Sequence, residues 1–282
     1  MDSAHETFER SRGLGIDLVV LDRAESTNDE LVARAHANEV ADFTSVVTLD
    51  QTAGRGRLGR EWVSPAGKAL AVSVLLRTDV DSEHWGWIPL LAGVAMTRVV
   101  ADMIPDASVT LKWPNDVLVA TVDGERKVSG VLSELVSDGT IVVGAGLNLT
   151  LTAAELPVET ATSLALNGAT GSAEQLADRA LAGFVSELRS EWQRFVEARG
   201  DAGASGLRLA VTELCGTLGR DVRVELPGAL EHVGRAVGID RQGHLLVSAV
   251  PSSDASTTAH EEATNRDVLT VAAGDVTHLR YE

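Results

Sequence analysis

The chain has 282 residues, of which 44% are hydrophobic and 23% are charged, so its composition is that of a globular protein and excludes a disordered or fibrous one. Its formal net charge of −17 repels a phosphate backbone, and we therefore expect no nucleic-acid partner. Cys215 is the single cysteine, the first residues are polar, and no apolar stretch reaches the ~20 residues that span a bilayer. These features predict a cytoplasmic protein without a disulfide or a membrane partner.

The first part of the chain alternates strand-like and helix-like segments. Leu18 to Leu21 predicts a short strand, and Thr27 to Glu30 has the spacing of a capping box, which predicts the start of a helix. Thr44 to Leu49 and Ala69 to Leu76 have the length and composition of two further strands. The residues between them, Gln51 to Gly67, are expected to form a loop rich in glycine.

The middle of the chain predicts two helices and a sheet. Gly86 to Asp102 suits a buried helix, and residues 173 to 198 carry apolar side chains at helical spacing, which predicts a long amphipathic helix. Between the two helices, four segments have the length and composition of strands. These segments are Val109 to Trp113, Val117 to Val122, Val128 to Val136 and Ile141 to Leu149. We therefore expect a mixed or antiparallel sheet.

The character of the sequence changes near residue 217. Short alternating segments separated by Gly and Pro turns follow, and they predict a small β-barrel. The segments are Val222 to Leu226, Val233 to Ile239, Leu245 to Val250 and Val268 to Val271. Pro251 to Arg266 is rich in small and polar residues and predicts a mobile hairpin tip. The expected fold class is α+β, with one domain over residues 1–215 and a second over residues 216–282.

A loop of alternating glycine and arginine carries the first chemical signal. Gly54 to Gly59 matches the dinucleotide-binding pattern G-x-G-x-x-G, but Pro65 and a strand follow it instead of the helix that this pattern requires. Arg55, Arg57 and Arg60 offer guanidinium groups that bind carboxylates and phosphates. The loop therefore predicts a site for an anionic ligand, and a solvated basic loop is the alternative.

Lysine is scarce in this chain, which contains only Lys68, Lys112 and Lys127. A lysine retained among many arginines indicates a need for a compact ammonium, although a surface position is the equally simple interpretation. Pro114 should end a strand and hold Asn115 in a turn. An asparagine there can donate and accept as an adenine edge requires, or serve only the turn.

In order and spacing, these segments resemble the biotin protein ligase family over about residues 18 to 282. The resemblance is carried by Ser26-Thr27-Asn28, Gln51 with Gly54 to Trp62, Lys112 to Asp116, Lys127 to Gly130, and Gly144 to Asn148. It implies a catalytic domain like that of the class II synthetases and a small C-terminal SH3-like β-barrel. It also implies ATP and biotin as substrates, with biotinyl-5′-AMP as the intermediate.

The resemblance implies a binding place for biotin. Short polar side chains would surround its head group, and they are Ser26, Thr27, Asn28 and Gln51. Arg55 and Arg57 would neutralise the biotin carboxylate and the phosphates. Gly54 and Gly56 would give that loop its conformational freedom. Without the resemblance, Ser26 and Thr27 are most simply interpreted as a helix cap.

The resemblance also implies roles on the nucleotide side. Trp62 would stack on adenine, and Asn115 with Asn148 would contact the adenosine. Lys127 would stabilise charge at the α-phosphate. The remaining matched residues are the supports Lys112 and Asp116, and the glycines Gly130 and Gly144 that let backbone approach the ligand.

The implied partner is the biotin carboxyl carrier domain of acyl-CoA carboxylases, whose lysine would receive biotin. The histidines show no metal-ligand spacing, so no structural zinc is expected. Mg²⁺ should arrive with ATP and keep water and phosphate ligands. About 25 residues precede Ser26, too few for the winged helix-turn-helix of bifunctional family members, so no repressor function is expected. The expected assembly is a monomer or a weak homodimer.

Two other functions fit parts of the sequence. A lipoate or octanoyl ligase would share the fold, but the Gly54 to Trp62 loop together with Lys112 to Asp116 favours biotin. A non-catalytic regulator that binds biotin or a nucleotide would not need Arg55, Arg57 and Lys127 together. The enzyme is therefore expected to be a biotin–[biotin carboxyl-carrier protein] ligase.

Overall fold

The larger part of the chain is built on a mixed sheet of seven strands. The computed structural model describes residues 8–37, 40–137, 139–226, 230–249, 268–272 and 274–279. The first nine strands are β1 (Leu18–Val20), β2 (Ser45–Thr48), β3 (Gly54–Arg55), β4 (Glu61–Trp62), β5 (Ala69–Arg77), β6 (Val109–Lys112), β7 (Asp116–Thr121), β8 (Gly124–Ser137) and β9 (Thr140–Asn148). The sheet order is β1-β2-β5-β9-β8-β7-β6. Only β1 and β2 pair in parallel within this sheet, which confirms the mixed sheet predicted from the sequence.

Two long helices cover one face of this sheet. The helices are α1 (Glu9–Arg12), α2 (Thr27–His36), α3 (Ile88–Met103), α4 (Ala173–Glu197) and α5 (Leu207–Leu214). α3 and α4 pack against each other and against the sheet, and Leu91, Met96 and Phe184 are fully buried between them. Because α4 repeats its apolar residues at helical spacing, it presents one continuous apolar face to this core.

Helix α2 covers the opposite face with a smaller apolar cluster. Leu31 and Ala35 of the helix pack with Val46, Leu75 and Val142 of three strands. Neighbouring residues of the same strands belong to the larger cluster, because successive side chains of a strand point to opposite faces. The sheet is therefore buried on both faces, and α2 stands alone on its side.

The start of α2 differs from the predicted capping box by one residue. Ser26 is the N-cap, in an extended conformation, and its hydroxyl accepts a hydrogen bond from the Asp29 amide at 3.3 Å. Thr27 is already helical, and its hydroxyl donates to Gln51 Oε1 at 3.2 Å. The Thr27 hydroxyl, which the sequence pattern assigned to capping, therefore makes a tertiary hydrogen bond to Gln51 instead.

The segment from Gln51 to Gly67 is more regular than the predicted loop. β3 and β4 pair antiparallel, with Gly54 opposite Trp62 and Arg55 opposite Glu61. A short 3-10 helix over Arg57–Gly59 forms the tip between them. We call residues 54–62 the arginine hairpin.

Helix α3 forms over nearly the span that the sequence predicted for a buried helix, and it contains a longer apolar window than the sequence analysis expected. A 3-10 helix over Ser82–Trp87 precedes α3, and within the 22 residues of both helices a window of 18 residues has a mean hydropathy of 1.2. By length and composition this run is apolar enough to cross a membrane. However, 72% of its 18-residue apolar window is buried inside the fold, as in the core helix of a globular protein.

The end of the chain forms an antiparallel sheet of five strands. They are β10 (Asp221–Leu226), β11 (Leu230–Ile239), β12 (Leu245–Ala249), β13 (Val268–Val271) and β14 (Asp275–His278), in the order β13-β12-β11-β10-β14. This sheet agrees with the expected SH3-like unit, although no ladder joins its two edge strands among the described residues. β14 was not predicted, because Asp275–His278 contains one apolar residue and shows no alternation. The predicted hairpin tip, Pro251 to Arg266, lies outside the described residues.

Two tryptophans of the larger unit donate hydrogen bonds to one turn of the C-terminal sheet. Trp87 Nε1 donates to the Arg241 carbonyl at 2.8 Å, and Trp113 Nε1 donates to the Gly243 carbonyl at 3.1 Å. Apolar side chains of both units belong to one buried cluster. The C-terminal sheet is therefore packed against the turn that follows β6. The boundary between two domains at residue 215 stays a prediction.

Candidate active site

One cleft brings together most of the residues singled out from the sequence. It lies between the start of α2, the arginine hairpin and strands β7 to β9, and it is partly open to solvent. The predicted residues that line the cleft are Ser26, Thr27, Asn28, Gln51, Arg55, Gly56, Arg57, Trp62, Asn115, Asp116, Lys127, Gly130 and Gly144.

Hydrogen-bonding side chains form one end of the cleft, and Ser73 lies behind them in contact with Thr27 and Asn28. All of them are buried except Gln51, which is half-buried. We call this group the polar corner: Ser26, Thr27, Asn28, Gln51 and Ser73. Gln51 Oε1 accepts from the Thr27 amide at 2.9 Å and from its hydroxyl. Ser73 Oγ donates to Asn28 Oδ1 at 2.6 Å. Each of these side chains either is short or, like Gln51, makes two hydrogen bonds, so the corner presents fixed donors and acceptors to a ligand.

Asn28 is held in one orientation by its two amide atoms. Its Oδ1 accepts from Ser73, and its Nδ2 donates to Glu134 Oε1 at 2.6 Å and to the Leu132 carbonyl at 3.4 Å. Asn28 is only 5% exposed. These three partners therefore fix which face of the amide a ligand meets.

Two glycines of β9 leave room for the side chains of Asn28 and Trp62. A Cβ on Gly144 would lie 2.1 Å from Asn28 Oδ1, and a Cβ on Gly146 would lie 2.5 Å from the Trp62 ring. Both distances are far shorter than any real contact of a methyl group. Gly144 and Gly146 are thus required for Asn28 and Trp62 to sit where they do.

The arginine hairpin is tied to the rim of the cleft by Arg55. Its guanidinium contacts Asp29 at the start of α2 and lies 3.0 Å from Glu134 on β8. Arg55 therefore neutralises two carboxylates of this chain, whereas the sequence analysis assigned it to ligand carboxylate and phosphate. In this structure it anchors the hairpin.

Arg57 and Asn115 meet on the other side of the cleft. Arg57 Nη1 donates to Asn115 Oδ1 at 3.4 Å, and Asn115 Nδ2 donates to the Val131 carbonyl at 2.6 Å. Asn115 is 9% exposed, so the turn after Pro114 holds it inside the protein. The tip of the hairpin is thereby connected to the turn between β6 and β7.

Lys127 and Asp116 form an ion pair on neighbouring strands. Lys127 Nζ lies 2.6 Å from Asp116 Oδ1 and 5.8 Å from the centre of the Trp62 ring. A Cβ on Gly130 would lie 2.9 Å from Lys127 Nζ, so a larger residue there would displace this ammonium. The pair places one cation at a defined point of the cleft wall.

The cleft concentrates cationic side chains on an acidic protein. Its lining contains four of them, Arg55, Arg57, Arg60 and Lys127, beside two carboxylates, Glu61 and Asp116. Arg55 is neutralised by Asp29 and Glu134 at the rim. The formal charge of the chain is −17, so Arg57, Arg60 and Lys127 make this cleft the place that favours an anionic ligand.

Three predicted site residues do not line this cleft. Gly54 lies on the outer side of the hairpin, where a Cβ would meet Trp62 O at 2.5 Å. Lys112 ends β6 and pairs in register with Asp116. Asn148 is buried, and its amide donates to the Thr162 carbonyl at 2.8 Å. These three residues lie near the cleft but do not line it.

The sequence analysis did not single out three residues that the geometry adds. Ser73 is the one polar residue inside the buried run of β5, and that interruption was a usable signal. Gly146 repeats Gly144 at strand spacing, which indicates close approach on one face. Glu134 gave no signal, because a charged residue near the end of a strand resembles any surface position.

The turn that carries Asn115 is supported from the C-terminal sheet. The Trp113 amide donates to Thr217 Oγ1 at 3.0 Å, and that hydroxyl lies 3.0 Å from His278 Nε2.

Glu125 on β8 is a second link to the C-terminal sheet. Burial alone would raise the pKa of Glu125, but hydrogen bonds from Arg220 and His278 outweigh burial and hold this pKa below its usual range. The group stays ionised and ties β14 to β8.

Known proteins with similar sequences share this arrangement of the chain. The sequence model of the biotin/lipoate A/B protein ligase family matches residues 20–148. A biotin–[acetyl-CoA-carboxylase] ligase of Mycobacterium tuberculosis is 35% identical over 93% of this chain and 89% of its own length. One of Paracoccus denitrificans is 30% identical over 81% of this chain and 92% of its own length.

A solved structure agrees with the fold as well. The biotin protein ligase of Aquifex aeolicus in complex with biotin and ATP superposes with a TM-score of 0.69 and 26% sequence identity. The match covers 94% of this chain and 99% of that one. It therefore extends over both sheets.

Proposed function

This chain belongs to the biotin protein ligase family, and from that membership we propose that it uses ATP to attach biotin to a lysine of a carboxylase carrier domain. The observation that carries the proposal is the cleft itself. A buried polar corner at one end would bind an uncharged head group, and a cationic wall at the other would bind carboxylate and phosphate. Biotin joined to a nucleotide has this distribution of groups.

The proposed reaction has two steps. A biotin carboxylate oxygen attacks the α-phosphorus of ATP, the bond to the pyrophosphate oxygen breaks, and biotinyl-5′-AMP and pyrophosphate form. The amine of the carrier lysine then attacks the acyl carbon, the amide bond forms and AMP leaves. Both steps develop negative charge on oxygen, so fixed cations in a partly closed cleft lower both barriers.

The roles of the cleft residues follow from their positions. We assign the biotin head group to Ser26, Thr27, Asn28 and Gln51, with Gly144 leaving space for Asn28. Lys127, oriented by Asp116, would stabilise the α-phosphate during attack. Trp62 would stack on the adenine, and Asn115 would contact the adenosine. Gly130 keeps the space beside Lys127 open, and Gly56 leads into the hairpin tip.

The predicted residues outside the cleft receive supporting roles. Gly54 lets the hairpin backbone pass close to Gln51 and Trp62. Lys112 contributes positive potential near the turn that carries Asn115. Asn148 would fix the end of β9 through Thr162 rather than contact the adenosine directly. Arg57 at the hairpin tip is the arginine that we assign to the ligand carboxylate and phosphate.

Magnesium would enter with ATP. Among the residues that the structure describes, no group of three or more His, Cys, Asp or Glu side chains could hold a metal ion. The donor set therefore fits an ion held mainly by phosphate oxygens and water. Such an ion would neutralise phosphate charge, while the chain supplies Lys127 and Arg57 to the same phosphates.

We infer that the acceptor is the biotin carboxyl carrier domain of an acyl-CoA carboxylase, in keeping with the names of the two ligases above. The net charge of −17 weighs against a nucleic-acid partner, and we propose that the protein works in the cytoplasm without a membrane partner. A monomer or a weak homodimer remains our proposal for the assembly.

The function is tested by incubating the protein with labelled ATP and either biotin or lipoate. We expect pyrophosphate release with biotin alone, and mass spectrometry should then show one biotin on a purified carrier domain. Release with lipoate instead of biotin would identify a lipoate ligase. Binding of biotin without any pyrophosphate release would identify a regulator and overturn the proposal.

We expect Arg57→Gly to increase the rate at which biotinyl-5′-AMP leaves the enzyme by about 10-fold, the effect of losing a hydrogen bond to a charged group. Lys127 remains in place, so the rate of pyrophosphate release should fall by a smaller factor than the time for which the enzyme retains the intermediate. Trapping the labelled adenylate on filters measures both quantities. Arg34→Gly is the control, because Arg34 pairs with Glu30 along α2 and does not line the cleft. Equal release from the Arg57 variant and wild type would contradict the assigned role.

A further inference from the structure

We propose that Glu134 is a positioning residue that couples binding of the ligand head group to closure of the arginine hairpin, an inference that rests on the proposed function. The carboxylate of Glu134 contacts both the polar corner and the hairpin. Its Oε1 accepts from Asn28 Nδ2 at 2.6 Å and from Arg55 Nη2 at 3.0 Å. A single oxygen atom thus joins the two parts.

The contact to Asn28 sets the orientation of the head-group site. Ser73 occupies Asn28 Oδ1 and Glu134 occupies Asn28 Nδ2, so the amide cannot rotate without losing both hydrogen bonds. A hydrogen bond to a charged acceptor is stronger than one to a neutral acceptor. Glu134 therefore preorganises Asn28 for the ligand.

The contact to Arg55 holds the hairpin. Arg55 also contacts Asp29, which is adjacent to Asn28 in the chain, so its guanidinium is held by carboxylates on α2 and β8. The Glu134 side chain is 25% exposed and that of Asp29 is 61% exposed. Solvent screens the Glu134 pair less, and this pair should contribute more of the attachment.

Coupling follows because both contacts share one carboxylate. When the hairpin is closed, Arg55 restrains the Glu134 side chain, and the restrained carboxylate holds Asn28. A ligand that binds the ordered Asn28 amide then favours the closed hairpin, and by linkage the closed hairpin favours that ligand to the same extent. The hairpin would thereby respond to the head group although Arg55 does not contact it.

Three variants separate the two contacts. Glu134→Gln keeps an acceptor for Asn28 but removes the charge that attracts Arg55, whereas Glu134→Ala removes both contacts. Asp29→Asn weakens the hold on Arg55 and leaves Glu134 in place. Glu30→Gln is the matched control, because Glu30 is also on α2 and pairs with Arg34 at 2.7 Å.

The measurements are biotin affinity by calorimetry, release of biotinyl-5′-AMP, and trypsin cleavage in the hairpin with and without biotin. We expect Glu134→Gln and Asp29→Asn to speed release and cleavage by about 3-fold, as for the loss of one partly exposed ion pair. Glu134→Ala should in addition weaken biotin binding by about 10-fold. In an Arg55→Met background, adding Glu134→Gln should not increase the rate of biotinyl-5′-AMP release any further, because the ion pair is already absent.

The outcomes distinguish this inference from the function on which it rests. If wild type neither binds biotin nor releases pyrophosphate, the proposed function fails and the coupling with it. If wild type does both and Glu134→Ala behaves like Glu30→Gln, only the coupling is overturned. A Glu134→Ala variant that loses biotin affinity while its hairpin stays as protected as in wild type would also overturn it.

Discussion

Lys127→Ala is expected to slow biotin-dependent pyrophosphate release by about 100- to 1,000-fold, which corresponds to ~3–4 kcal/mol of lost transition-state stabilisation. The transition state at the α-phosphorus carries more negative charge than bound ATP does, so a fixed ammonium stabilises it preferentially. Lys127 is held for this purpose by Asp116 at 2.6 Å, and Gly130 leaves it space. Arginine should not restore the rate, because its planar fork is wider than an ammonium.

Lys68→Ala is the matched control for this variant, because Lys68 faces Glu155 at 3.8 Å and does not line the cleft. Steady-state pyrophosphate release at saturating biotin is the measurement. Biotin binding should survive in Lys127→Ala, because the polar corner lies on another wall. A near-normal rate in Lys127→Ala would refute the assignment and make Lys112 the next candidate.

Gly144→Ala is expected to weaken biotin binding by about 100-fold, the scale of losing two hydrogen bonds that hold a site group, one of them to a charged acceptor. The added methyl would lie 2.1 Å from Asn28 Oδ1, and the β9 backbone cannot withdraw because β5 and β8 pair with it on both sides. Asn28 must therefore move. Its hydrogen bonds to Ser73 and Glu134 would be lost with that movement.

Calorimetric titration with biotin measures this effect, and Gly238→Ala provides the control. Gly238 also lies in a strand, but a Cβ there meets its nearest neighbour, Leu246 Cδ1, at 3.8 Å, an ordinary contact. In an Asn28→Ala background, Gly144→Ala should cause little further loss, because the clashing atom is gone. Wild-type biotin affinity in Gly144→Ala would show that Asn28 is not part of the binding site.

The order of elements in the larger unit could be predicted because each has its own periodicity. The apolar run of Ala69 to Leu76 and the helical repeat of residues 173 to 198 are signals that need no distant partner. β14 lacks such a signal and became a strand only by pairing with β10. Tertiary pairing also turned the expected loop after Gln51 into a short hairpin.

Residues of the site were predictable where residue type and spacing indicated chemistry. Gly144 and Gly146 lie on the cleft side of β9, and strand alternation places Asn148 on the same side. Asn148 is nonetheless turned away by its hydrogen bond to Thr162, which no local pattern reveals. Arg55 lines the cleft, but its partners Asp29 and Glu134 come from separate elements, so its pairing required the three-dimensional structure.

The unequal apolar clusters on the two faces of the sheet give the cleft an uneven local stability. Ser26 to Asn28 begin α2, which rests on the smaller cluster, whereas Lys127 and Asp116 lie on strands that pack under α3. A segment with few buried contacts opens at a lower free energy than the whole fold unfolds. We therefore expect the α2 side of the cleft to open locally more often than the strands that carry Lys127 and Asp116 unfold.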